Sequence, residues 1–97
     1  MEKASIYIVS YDIADPKRWR RIFRLLQGYG EWVQLSVFQC RLSPVRRIRL
    51  ETDLDAEILR NEDHVLIFRL GPADRKMPFV TSLGRTFSPI IHVPIII

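Results

Sequence analysis

The stretch Ser5-Ile6-Tyr7-Ile8-Val9-Ser10-Tyr11-Asp12-Ile13 constrains the fold more than any other part of the chain. Eight of these nine residues suit an extended strand, and the remaining one, Asp12, is a carboxylate at the strand's end. Alternation places Ile6, Ile8, Ser10 and Asp12 on one face, with Tyr7, Val9, Tyr11 and Ile13 on the other. Both faces are largely apolar, which predicts a central strand covered on both sides. Asp12 then has three readings. As a turn-starting residue it needs no function. As a metal ligand it suits Mg²⁺ (or Mn²⁺), a hard ion bound through carboxylate, water and phosphate oxygens. As a general base it would require a raised pKa, for which its sequence neighbours give no cause.

Asp15-Pro16 opens a helix, with Asp15 as N-cap, worth ~1 kcal/mol, and Pro16 at the first helical position. Trp19, Ile22, Phe23, Leu25, Leu26 and Tyr29 gather on one side, and Lys17, Arg20, Arg21 and Arg24 on the opposite side. Gly28 and Gly30 bracket the end, as expected for a left-handed C-cap. Residues 31–42 are β-rich without an Asn-Gly or Asp-Gly divider, so they read as one long bent strand or as two joined near Ser36. Ser43-Pro44 repeats the cap-and-proline signal and starts a second helix, running to about Arg60. That helix has two apolar stripes: Leu50, Leu54 and Ile58 on one side, Val45, Ile48 and Leu59 on the other. One stripe covers the sheet. A further strand follows from His64 to Leu70, stopped by Gly71-Pro72. The order predicts an α+β, ferredoxin-like sandwich (βαββαβ) in a single domain spanning 1–97.

Residues 77–97 do not suit a closed small domain, because Phe79, Val80, Phe87, Ile90, Ile91, Val93 and the three terminal isoleucines are too apolar to stay in water. Pro78, Pro89 and Pro94 forbid a continuous central strand and favour an edge. The tail is therefore expected to add an extra C-terminal strand to a second copy, giving a symmetric homodimer with strand exchange. A dimer axis near the first strand's end would bring two Asp12 carboxylates together.

The charge pattern points to a phosphate partner. Twelve Arg against three Lys is a marked skew within a formal net charge of only +4, and guanidinium forks match phosphate geometry. The basic stripe on the first helix carries no interspersed acid, so it calls for an anion, with nucleic-acid backbone the leading candidate. Cys40, the only cysteine, excludes an intrachain disulfide and fits a reducing cytoplasm; it reads as a small core residue. His64 and His92 lack metal-ligand spacing. No apolar run reaches the roughly 20 residues of a membrane helix, and no signal peptide is visible, so the chain is expected to be cytoplasmic, with no membrane partner.

Several short motifs resemble one family. Tyr11-Asp12-Ile13 follows an apolar strand, Asp15-Pro16-Lys17-Arg18 opens a basic helix, and Gly30 comes next. Gln34 then precedes Ser36-Val37-Phe38-Gln39-Cys40, which is similar to a Ser-Val-Phe-Glu-Cys signature. Leu42-Ser43-Pro44, Leu70-Gly71-Pro72-Ala73-Asp74 and Ser82-Leu83-Gly84-Arg85 complete a pattern covering nearly the whole chain. In order and spacing it resembles the small CRISPR-associated endonucleases of spacer acquisition. That resemblance implies a metal-dependent endonuclease acting on RNA or double-stranded DNA, and the dimeric partner of a CRISPR integrase. It also implies that Asp12 is the catalytic residue and metal ligand, that Tyr11 and Phe38 flank the site, and that Arg18 joins Lys17, Arg20, Arg21 and Arg24 in binding nucleic acid. Two positions depart from the pattern: Gln39 stands where Glu is common and Trp32 where Arg is frequent, removing one carboxylate and one phosphate contact. Two alternatives remain open: a non-catalytic DNA-binding scaffold of the integration complex, and a ribonuclease toxin of the VapD class.

Overall fold

The computed structural model describes residues 3–73 and 81–85. The elements run β1 (Ser5–Asp12), α1 (Pro16–Gln27), β2 (Gly30–Gln34), β3 (Val37–Leu42), α2 (Pro44–Glu57) and β4 (His64–Pro72). The four strands form one sheet in the order β2-β3-β1-β4, with every neighbouring pair antiparallel. This is the ferredoxin-like arrangement expected from the element order. Residues 77–80 and 86–97 of the expected exchanged tail lie outside the described residues, and residues 81–85 form neither helix nor strand.

β1 is central, flanked by β3 and β4, but its two faces are not equivalent. Tyr7, Val9 and Tyr11 share one core with Ile22 and Leu26 of α1, Leu50 and Leu54 of α2, and Phe38, Cys40 and Leu42 of β3. Both helices therefore pack on that single face. The expectation of cover on both sides is corrected here: among the described residues no helix lies over the other face. There Ile8 pairs with Phe68 and Ser10 with Leu66, and the two β4 residues are 50% and 42% exposed. On α2, the Leu50–Leu54–Ile58 stripe meets the sheet while Val45, Ile48 and Leu59 stay exposed.

The local signals act as their chemistry dictates. Asp15 accepts a hydrogen bond from the Arg18 amide at 2.9 Å, and Ser43 accepts one from the Arg46 amide at 3.2 Å, each ahead of a first-turn proline. Gly28 differs from expectation: it is right-handed (φ −78°, ψ −9°), not a left-handed cap. Its amide and that of Tyr29 turn back to the carbonyls of Leu25 and Leu26, and Arg46 donates to the Gly28 carbonyl at 3.0 Å while lying over the Tyr29 ring. The helix end is thus closed by a tighter last turn and a side chain from α2. α2 is shorter than expected, ending at Glu57. Residues 31–42 split into two strands around a tight turn at Leu35-Ser36, where Leu35 takes a positive φ of 42°. Pairing on both sides imposes that turn without the usual Asn-Gly. β4 runs on through Gly71 and Pro72, tolerated because β4 is an edge strand of the described sheet and its register shifts between Ile6 and Tyr7 of β1. None of the helices among the described residues is long and apolar enough to cross a membrane.

Gly30 is needed for close approach and not for its backbone angle. A Cβ placed there would lie 2.8 Å from Cys40 Cα and press on the Gln39 carbonyl. Gly30→Ala is expected to destabilise the fold by about 1–3 kcal/mol through overpacking between β2 and β3. Calorimetric melting should show a Tm lowered by several degrees.

Candidate active site

Asp12 is exposed at the C-terminal end of β1, on the face away from the helices. Its position is set by its neighbours. The Tyr11 amide donates to the Ser36 carbonyl at 3.0 Å, which ties the strand end to the β2–β3 turn. The Ala14 amide donates to Asp63 Oδ1 at 3.0 Å, which ties the following turn to the α2–β4 connection. His64, the first residue of β4, is the cross-strand partner of Asp12, so a carboxylate and an imidazole end the same ladder.

The expected flanking residues lie beneath this end and not on its surface. Tyr11 and Phe38 are buried, with ring centroids 6.2 Å apart, and Trp19 lies 6.0 Å from Tyr11. Burial pushes the Tyr11 phenol up to about 12, with Ser36 opposing that shift in part. Among the described residues the Tyr11 hydroxyl nonetheless has no hydrogen-bond partner, while Ser36 Oγ accepts from Trp19 Nε1 at 3.1 Å. Tyr11 therefore stays a neutral floor for the site. Burial also pushes the Cys40 thiol up to about 12, consistent with a core residue and not a nucleophile.

The five basic residues expected to bind nucleic acid divide. Arg18 does not face solvent: its guanidinium is buried and grips Asp63, with Nε 2.6 Å from Oδ2 and Nη2 3.1 Å from Oδ1, while Nη2 also reaches Glu62 at 3.2 Å. The expectation that it binds phosphate is corrected by this internal ion pair. Arg21 finds Glu57 of α2 at 3.2 Å, an exposed bridge of little energetic weight. Lys17, Arg20 and Arg24 are exposed and form no salt bridge among the described residues. Arg20 also borders a groove formed with Ile13, Ala14, Pro16 and Trp19, next to the Asp12 strand end.

Oxygen is the right donor for Mg²⁺, and Asp12 is open to solvent, so its carboxylate fits such an ion. Among the described residues no group of three His, Cys, Asp or Glu side chains could hold a metal. Asp63 and Glu62 escaped the sequence reading, in which His64 is only a strand start without metal-ligand spacing. Nothing local marks them, since their importance comes from pairing with Arg18, Ala14 and Asp12 across more than forty residues.

With this geometry in view, comparison with known proteins is decisive. The family described as "CRISPR associated protein Cas2" matches residues 5–77. The chain belongs to the Cas2 family. A Geobacter sulfurreducens protein named "CRISPR-associated endoribonuclease Cas2" is 50% identical over 92 residues, covering 95% of this chain and 97% of that protein. A Rhodospirillum rubrum protein, "CRISPR-associated endoribonuclease Cas2 1", is 53% identical over 91 residues, covering 94% and 89%. Among solved structures, a hypothetical protein from Thermus thermophilus superposes with a TM-score of 0.75 at 31% identity, covering 89% of this chain and 98% of that one. Streptococcus pyogenes Cas2 at pH 6.5 superposes with a TM-score of 0.64, also at 31% identity, over 68% and 86%. These likenesses agree with the α+β fold described above.

Arg18 holds the Asp63 carboxyl far below its ordinary value of 3.8, against the opposing effect of burial. A depressed folded-state pKa contributes stability in full above the unfolded value and loses it as the pH falls below that value. On acidification below about pH 4, the Tm of the wild type should therefore fall more steeply than that of Asp63→Asn. Parallel melting curves across that range would contradict the pairing.

Proposed function

We propose that this Cas2 protein is a cytoplasmic, metal-dependent endonuclease of RNA or double-stranded DNA, acting in spacer acquisition as the dimeric partner of the CRISPR integrase. The observation that carries this reading is the exposed Asp12 carboxylate at the end of β1, with exposed Arg20 of α1 bordering the groove formed by Ile13 and Ala14 just beyond it. The endoribonuclease names of relatives at 50% and 53% identity support the reaction class.

A symmetric homodimer makes the site chemically sufficient. Asp12 shares with Ser10 the face that no helix covers among the described residues, and Leu66 and Phe68, the partners of Ser10 and Ile8, expose apolar surface there. Packing two such faces together buries these side chains and carries each Asp12 toward its symmetry mate. Two carboxylates would then hold one Mg²⁺ (or Mn²⁺), where a single one holds it poorly. When bound, such an ion lowers the pKa of a water and offsets charge developing on a phosphate. Lys17, Arg20 and Arg24 hold the phosphate backbone along α1, while the buried Tyr11 and Phe38 keep the floor of the site rigid and uncharged. Asp12→Asn or Asp12→Ala should abolish Mg²⁺-dependent cleavage of RNA and duplex DNA while leaving binding intact. Cleavage that survives either substitution overturns the assignment.

A second reading follows from Asp12 being the one metal ligand assigned to each chain: a scaffold that binds duplex DNA and the integrase without cutting. In a spacer-integration assay, the scaffold reading predicts activity that survives Asp12→Ala and fails in the nuclease reading. Both readings need the α1 cations. Charge reversal of Arg20 and Arg24 together should weaken nucleic-acid binding at least tenfold and flatten its dependence on log salt concentration by about two units. An unchanged salt slope would remove α1 from the interface.

A further inference from the structure

Asp63 takes no part in the chemistry above, yet its side chain is wholly enclosed and joins three separate segments. Oδ1 accepts from the Ala14 amide at 3.0 Å and from Arg18 Nη2 at 3.1 Å. Oδ2 accepts from the Leu59 amide at 2.8 Å and from Arg18 Nε at 2.6 Å. One carboxylate thus connects the turn after β1, the first helical residues of α1 and the connection from α2 to β4.

These partners surround the residue the site depends on. Ala14 lies two residues beyond Asp12, and His64, which follows Asp63, is the cross-strand partner of Asp12. On the other side, Tyr11 is anchored to the Ser36 carbonyl. The Asp12 side chain itself forms no hydrogen bond or ion pair with the described residues, so its location is inherited from the backbone before and after it. Two plainer roles leave part of this arrangement unexplained. Capping α1 is already done by Asp15, which bonds the Arg18 amide. Tying the α2–β4 connection to α1 requires only Arg18 and Leu59. The bond to the Ala14 amide serves neither, and it is the one that fixes the chain leaving Asp12.

We propose that Asp63, oriented by Arg18, is the positioning residue for Asp12: it fixes the turn between β1 and α1 so that the Asp12 carboxylate is presented in one place. This rests on the reading of Asp12 as the reactive carboxylate. It also gives Arg18 a task in the basic motif that its burial otherwise denies it. A carboxylate allowed to wander by about 1 Å loses reactive alignment, a displacement that costs on the order of 10²-fold in rate.

The test compares full-length wild type with Asp63→Asn, which keeps an oxygen acceptor and removes the charge that grips Arg18, and with Arg18→Lys, which keeps a charge and gives up the fork. Backbone amide exchange is followed by NMR, with the Val9 and Phe38 amides as internal controls for global stability. In folded Asp63→Asn, the Ala14 amide is expected to exchange at least tenfold faster than in wild type relative to those controls. Arg18→Lys should fall between the two. In cleavage assays, kcat should drop tenfold or more with KM within about twofold, because the phosphate-binding residues of α1 are untouched. Ala14 exchange that keeps its wild-type ratio to the controls in both folded variants would overturn the proposal, as would a loss carried wholly by KM. The exchange comparison decides it even for a wild-type chain that cleaves nothing, an outcome that would overturn the cleavage reading alone.

Discussion

The buried pairing of Arg18 with Asp63 is the interaction on which the rest of this molecule depends. It takes a guanidinium and a carboxylate out of water, a cost repaid only where geometry is good and the remaining lone pairs are satisfied. Here both conditions hold: the fork contacts both carboxylate oxygens, and the Ala14 and Leu59 amides complete them. Removing either partner strands a charge in the interior, so the pair resists piecemeal loss. Its location matters as much as its strength, because it joins the start of α1, the end of α2 and the strand end that carries Asp12.

From that junction the division of labour across the sheet follows. The helix face holds the core, where Tyr7, Val9 and Tyr11 of β1 meet Ile22, Leu26, Leu50 and Leu54. The opposite face carries Asp12, Ser10 and Ile8 beside the exposed Leu66 and Phe68. On the proposed reading chemistry and association share one surface, while the core occupies the other. A protein of this size has little core to spare, and separating the two tasks by strand alternation lets both be met with one sheet.

What was legible in the sequence was local. Asp15-Pro16 and Ser43-Pro44 marked both helix starts, because an N-cap followed by proline is a backbone signal that needs no partner. The alternation of β1 separated Asp12 from Tyr11, and the order of elements gave the sandwich. What escaped was set by contacts distant in the chain. The turn at Leu35-Ser36 has no turn chemistry of its own and exists because β2 and β3 pair on either side of it. Gly28 looked like a left-handed cap, but Arg46 from α2 takes its carbonyl. Arg18 sits among solvent-seeking arginines in the sequence and differs from them only through Asp63, 45 residues away. No periodicity in one segment encodes a partner in another.

The central claim is that Asp12 from each of two copies holds a single metal ion. Counting the Mn²⁺ ions bound to the purified protein by electron paramagnetic resonance, alongside its mass in solution, tests this most directly. The account predicts one tightly held ion per two chains, lost in Asp12→Asn while the dimer persists. One ion per chain, or binding unchanged by that substitution, would contradict it.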